Sequence, residues 1–248
     1  MLPILRPFLR FYNLTLSPDR MFALRLKNML GFTPARLGTF KLAFSHRSGI
    51  NEESAALHSN ERLEYLGDAV LGTIIAEYLF KKYPNADEGF LTKMRSKIVK
   101  RKSLNTLADR MGLDEYLTEY NNMRLSRSMM GNALEALVGA IYLEIGYNKT
   151  ASFVIRRVLM RYVDVHELET YDDNYKSQLL EHCQKNGQMV TYKTLAKYKL
   201  EKRDCFKVAV LVDGEKKGVA DDFNKKSAEQ SASRKALETL GLIAEEEA

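Results

Sequence analysis

The sequence predicts an all-α domain followed by a small α+β module with the order α-β-β-β-α. Two observations carry this. From about Ser17 to Val163, apolar residues recur every three to four positions, and no useful length alternates with period two. Past Asp173 that pattern gives way to short alternating runs, clearest in residues 205–212 (CFKVAVLV), which the Asp213-Gly214 pair then turns.

The elements follow in order. Residues 1–19 form an N-terminal arm, MLPILRPFLRFYNLTL and its tail, apolar and basic. Pro3, Arg6, Pro7 and Arg10 interrupt it, so it is too short and too broken to span a membrane. It is expected to dock on the main domain as an irregular arm or a short helix, with contact to a membrane surface as the lesser alternative. Residues 20–163 are the helical domain, punctuated by Gly31, Pro34, Gly49, Pro84, Gly89 and Gly112. One helix carries Leu63, Leu66, Ala69, Val70, Ile74 and Ile75, with Gly67 and Gly72 thinning its surface for close packing. Leu91, Met94 and Ile98, then Leu104, Leu107 and Met111, repeat at helical spacing among Lys93, Lys97 and Lys100. Residues 127–145 form another apolar helix, through Met130, Ala133, Leu134, Leu137, Val138, Ile141 and Tyr142.

Residues 164–173 (DVHELETYDD) are acidic, lack an apolar face and read as a linker. The second module spans residues 174–242. Its helix at 174–186 turns Leu179, Leu180 and Cys183 inward. Strands at 190–198, 205–212 and 217–223 follow, and a closing helix at 226–240 buries Ala228, Ala232, Ala236, Leu237 and Leu240. Residues 243–248 are an acidic tail.

Bulk properties narrow the function. The chain of 248 residues is 45% hydrophobic, enough for a packed core, and its net charge of +6 suggests an anionic partner. The charge is uneven, because Asp19 is the only acid before Glu52. Cys183 and Cys205 lack metal-ligand spacing, so a reduced, cytoplasmic protein is expected. His46 reads as structural, and His58, His166 and His182 as surface or hydrogen-bonded residues; the four do not cluster. There is no Ser-His-Asp arrangement, nucleotide-binding glycine loop or zinc spacing.

The run NERLEYLGDAVL at residues 60–71 carries the chemistry. Glu61, Glu64 and Asp68 stand at i, i+3 and i+7, within an arc of roughly 60° on one helix face. Like charges so placed weaken a helix by a few tenths of a kcal/mol per pair, so a cation between them is the simplest compensation. A hard divalent ion with oxygen ligands fits. One helix face cannot surround an ion, so a second helix is needed. Glu135, one turn after Asn132 in an otherwise apolar helix, is the best candidate.

These residues carry a resemblance. NERLEYLGDAVLG resembles the signature motif of the ribonuclease III family, and GNALEALVGAIYLE resembles its second acidic motif. The C-terminal module, closing on KKSAEQSASRKAL, is similar to a double-stranded RNA-binding domain. The resemblance implies a homodimer through the nuclease domain, cleaving double-stranded RNA with Mg²⁺, for which Mn²⁺ can substitute, and with no small-molecule cofactor or membrane partner. It implies 5′-phosphate and 3′-hydroxyl ends with short 3′ overhangs, and roles in processing rRNA, mRNA, tRNA and small-RNA precursors. It assigns the metal to Glu64, Asp68, Asn132 and Glu135, and catalysis to Asp68 and Glu135 with Glu61 at the rim. Asn132 departs from the family, which normally has aspartate there; a catalytically impaired duplex-RNA-binding protein is the alternative. Tyr65, Leu66 and Ala69 are candidates for the dimer contact. For RNA binding the resemblance implies Gln178 and Glu181 on the first helix and Lys225 and Lys226 on the last. The loop KLEKRDCF lacks the family's Gly-Pro-x-His-like element, leaving Lys202 and Arg203 as electrostatic substitutes. Ser233 stands where the family usually has alanine.

Overall fold

The computed structural model describes residues 5–46, 59–121, 127–170, 174–200 and 203–244. They divide into two compact units, Met1–Glu169 and Thr170–Ala248.

In the first unit, α1 (Arg6–Thr15), α2 (Arg20–Leu30) and α3 (Leu37–Ala43) lead to the long α4 (Glu61–Lys82). Then come α5 (Glu88–Val99), α6 (Arg101–Arg110), α7 (Leu113–Tyr120) and α8 (Arg127–Ile145). The N-terminal arm is therefore a helix over most of its length. α9 (Tyr147–Phe153) passes into a π-helical stretch (Val154–Leu159) and a last α turn (Met160–Tyr162). The Arg157 guanidinium in that stretch donates to the terminal carbonyls of α2, Asn28 at 3.3 Å and Met29 at 3.2 Å. α2 ends on Gly31 at φ +80°, where an added Cβ would lie 2.3 Å from Arg157.

α4 and α8 are the centre of this unit. Leu71, Ile74, Ile75 and Leu79 of α4 meet Leu134, Leu137, Val138 and Ile141 of α8 in one buried core. The two backbones touch. A Cβ on Gly67 would fall 1.7 Å from the Glu135 carbonyl oxygen, and one on Gly139 would fall 2.4 Å from that of Leu63. Only glycine permits that approach. The α4 start is held by the buried Asn60, whose N–H donates to Ser45 O at 2.8 Å and whose amide donates to Ala43 O. Buried Asn121 likewise donates to the carbonyls of Phe44 and Leu117, at 2.8 and 2.7 Å. Phe44 stacks on Tyr116 at 4.8 Å, with Phe22 edge-on to both.

Of the dimer-contact candidates on α4, Tyr65 and Ala69 are exposed and Leu66 is half-buried. The expected linker at 164–173 needs correcting, because α10 (Val165–Thr170) occupies most of it. Val165 is buried in the unit's core, and the Lys97 ammonium donates to Leu168 O at 2.6 Å. Residues 171–173 lie outside the described residues.

The second unit has α11 (Tyr175–Lys185), β1 (Val190–Leu200), β2 (Arg203–Val212), β3 (Glu215–Asp222) and α12 (Lys225–Thr239). The antiparallel sheet has the order β1-β2-β3. Leu179 and Cys183 of α11, one turn apart, pack with Val210, Val212, Ala220, Ala232, Ala236 and Leu237. Leu180 was expected inward but is exposed, since neighbouring helical positions sit 100° apart and Leu179 takes the inward one. Gly218 lets β3 approach α12, where a Cβ would lie 2.2 Å from Ala232 O. The strands are longer than the sequence suggested at the β1–β2 end. Pairing runs out to Leu200↔Arg203, so Arg203 belongs to β2 rather than to a loop. Both cysteines are free and buried. Among the described helices none is long and apolar enough to cross a membrane.

Gly139→Ala should destabilise the first unit by more than about 3 kcal/mol, because a backbone contact cannot yield as a side chain can. Chemical denaturation checks this; a loss under about 1 kcal/mol would mean that the helices separate freely.

Candidate functional site

The touching backbones bring the predicted acids of two helices together. α4 presents Glu61, Glu64 and Asp68, with Glu61 and Asp68 exposed and Glu64 half-buried. α8 presents Asn132 and Glu135, both half-buried, and Gly67 stands directly against Glu135. The Asn132 amide hydrogen-bonds the Glu64 carboxylate.

The carboxylates strain against one another. Burial raises the Glu135 pKa to about 7, and the charges of Asp68 and Glu64 add to the rise. Glu64 is raised too, by burial first, while Arg101 and the Asn132 hydrogen bond act against it. Arg101, first residue of α6, is thus the cation whose field reaches the acids. Among the described residues no three His, Cys, Asp or Glu side chains are drawn together closely enough to enclose an ion. The acids feel one another's fields without closing into a cage. Their chemistry still suits a hard divalent cation: oxygen donors from two helices, with more negative charge than Arg101 offsets.

Sequence reasoning did not single out Arg101, Asn60, Asn105 or Glu144. Asn105 Oδ1 accepts from the Gly131 N–H at 2.9 Å and so ties α6 to the first turns of α8. Glu144, 1% exposed, accepts from the Ala35 N–H at 2.9 Å and from Arg36 Nε at 3.0 Å. None of these has a spacing that marks it in the chain; Arg101 sits in a run of ordinary helix-surface cations.

In the second unit Glu181 is exposed and Gln178 half-buried on α11. Lys225 and Lys226 are exposed at the α12 start, where the Asn224 side chain caps the Lys226 N–H at 2.8 Å. Arg203 is exposed, and its guanidinium lies over the Phe223 ring at 5.3 Å. Lys202 lies outside the described residues. Ser233 is buried and satisfied: its hydroxyl donates to Glu229 O at 2.7 Å and pairs with the Tyr192 hydroxyl at 2.7 Å.

Residues 38–162 match the family model described as Ribonuclease-III-like, and residues 175–240 match the double-stranded RNA binding motif. The chain belongs to the ribonuclease III family. A "Ribonuclease 3" of Azobacteroides pseudotrichonymphae is 38% identical over 84% of this chain and 81% of its own length. Another, of Zunongwangia profunda, is 40% identical over 87% of this chain and 89% of its own length. The solved nuclease domain of a ribonuclease III from Campylobacter jejuni aligns with a TM-score of 0.49 and 29% identity, covering 57% of this chain and 96% of that one. As a member of the ribonuclease III family the protein is an endoribonuclease with a helical nuclease domain and a double-stranded RNA-binding domain.

The Glu135 shift has a sign that can be tested. Its folded value, about 7, lies above its ordinary 4.5. The stability it contributes is therefore complete below the ordinary value and is lost as pH rises through the folded one. In EDTA, Tm should fall between about pH 5 and about pH 8, and Glu135→Gln should remove about 1–2 kcal/mol of that fall after allowance for solvent screening. An identical fall in wild type and Glu135→Gln would mean an ordinary Glu135.

Proposed function

We propose that this chain is a divalent-metal-dependent, homodimeric endoribonuclease that cuts both strands of double-stranded RNA. The observation that carries the reading is the meeting of Glu64 and Asp68 with Glu135 and Asn132 where two helix backbones touch. Mg²⁺, or Mn²⁺ in its place, would be held by Glu64, Asp68, Glu135 and the Asn132 carbonyl oxygen. When bound it supplies a lowered water pKa and a Lewis acid for the scissile phosphate.

The residues of the chain do the rest. Glu135 and Asp68 hold and orient the attacking water, and Glu64 is kept in place by the Asn132 amide. Glu61 stands one turn before Glu64, at the rim. Arg101, whose field already reaches Glu64 and Glu135, is placed to offset phosphate charge as RNA arrives. The double-stranded RNA-binding domain would read duplex shape, with Gln178 and Glu181 toward a minor groove and Lys225 and Lys226 on phosphates. Arg203 contributes charge at the strand end, with Lys202 beside it in sequence.

A homodimer is supported by the exposed stripe along α4. Tyr65, 83% exposed, Ala69, Thr73 and Phe80, 70% exposed, repeat at helical spacing along one side of the helix that carries the acids. A twofold pairing there matches the local twofold of a duplex and would set two cuts with a stagger. Products would be 5′-phosphate and 3′-hydroxyl ends with short 3′ overhangs. Precursors of rRNA, and of mRNA, tRNA and small RNAs, are the natural duplex substrates on this reading, in a reduced cytoplasm consistent with two free cysteines. The alternative, a duplex-binding protein with impaired catalysis, rests on Asn132 alone.

Incubation with a long RNA duplex in Mg²⁺ and in EDTA tests the reading. Glu135→Ala should abolish cutting and spare binding, and Asn132→Asp should lower the Mg²⁺ concentration required. Duplex binding without cleavage at any Mg²⁺ concentration would establish the impaired alternative instead. Separately, Ala69→Arg should halve the mass at sedimentation equilibrium and abolish cutting; an unchanged mass would remove the α4 stripe from the dimer.

A further inference from the structure

Helix α1 turns polar side chains inward, beside Leu14 packed on the core, and leaves most of its large apolar side chains in solvent. At 3.6 residues per turn Arg6, Arg10 and Asn13 share one side, and that side is turned inward. Asn13 is buried and donates to the carbonyls of Pro34 at 3.0 Å and Ala35 at 3.1 Å. Arg6 donates to Glu144 O at 3.0 Å, and Arg10 lies 3.7 Å from the Glu144 carboxylate. The opposite arc, about 140° wide by helical geometry, carries Leu5, Phe8, Phe11, Tyr12 and Leu16. Phe8, Phe11 and Leu16 are 67%, 63% and 74% exposed, and Met21 at the start of α2 is exposed as well. A surface helix normally shows the reverse arrangement, and a contiguous apolar patch of this kind marks a docking surface.

Charge selects the occupant. The first 51 residues hold eight Lys and Arg against the single Asp19, a net of +7, whereas the whole chain is +6. Asp19 is itself paired with Lys41 at 2.6 Å. Beside α1 a depression of about 410 Å³ is lined by Arg10, Lys149, Arg156 and Arg157 together with Phe32. Lys149 and Arg156 have no hydrogen-bond or ion-pair partner among the described residues. A second copy of this face would set two segments of +7 against each other. Duplex RNA would satisfy the charge and leave Phe8, Phe11 and Leu16 in water. An anionic bilayer satisfies both: apolar side chains enter the boundary of the acyl chains, and the cations hold lipid phosphates.

We propose that the nuclease unit docks on anionic lipid surfaces through α1, with Phe8, Phe11 and Leu16 entering the interface and Lys149 and Arg156 on headgroup phosphates. This is surface association, since α1 is far too short to span.

Co-sedimentation of the full chain with vesicles tests it, using phosphatidylcholine alone against phosphatidylcholine with phosphatidylglycerol. Wild type should partition about tenfold more onto the phosphatidylglycerol vesicles. Phe8→Glu with Phe11→Glu should lose that binding while duplex cleavage stays unchanged, which also reports that the variant folds. Lys149→Glu with Arg156→Glu should lower the lipid preference about tenfold. Equal partitioning of wild type onto both vesicles overturns the proposal. So does vesicle binding that survives both variants. Weaker duplex binding by Phe8→Glu with Phe11→Glu, or a lower mass at sedimentation equilibrium, with vesicle binding intact would assign the face to RNA or to a second copy.

Discussion

The contact between the backbones of α4 and α8 is the constraint on which the nuclease unit depends. Gly67 rests on the carbonyl of Glu135, and Gly139 on that of Leu63. Apolar side chains around the contact supply the driving force, and the two glycines remove the side chains that would hold the helices apart. Because Gly67 lies between Glu64 and Asp68 in sequence, no close version of this packing separates the acids of α4 from Glu135. The packing that stabilises the fold is the packing that assembles the site.

That arrangement has an electrostatic cost. Glu135 and Glu64 are both displaced upward, by burial first; the charges of Asp68 and Glu64 add to the rise at Glu135, and those of Glu61 and Asp68 to the rise at Glu64. Arg101 and the Asn132 amide relieve only part of the strain. A protein selected for stability alone would replace such acids with apolar residues. Their presence in a half-buried setting makes sense if a cation completes the site, which is the chemistry proposed for it.

Much of this was legible in the chain. The spacing of Glu61, Glu64 and Asp68 marks one helix face, and Glu135 stands out as a carboxylate in an apolar helix. The switch from helical to alternating pattern places the second unit. What was not legible has physical reasons. Arg101 and Asn105 act across space, from a helix whose own periodicity says nothing of α8. Asn60 and Asn121 look like loop residues in sequence, and only their buried hydrogen bonds reveal them as anchors. The β1–β2 end was misread because the family resemblance sets KLEKRDCF against a loop, whereas cross-strand pairing carries Lys199, Leu200 and Arg203 in extended strands. The α1 orientation could not be anticipated either, since it depends on Glu144, more than a hundred residues away.

The direct test is a carbon-detected NMR titration of the Glu135 carboxyl, without metal and then with Mg²⁺. The expected midpoint without metal is near 7, and Mg²⁺ should drive it below about 5, because a bound cation favours the carboxylate. A midpoint near the ordinary value of 4.5 that Mg²⁺ leaves unmoved would contradict a site built on carboxylates held in tension for a metal.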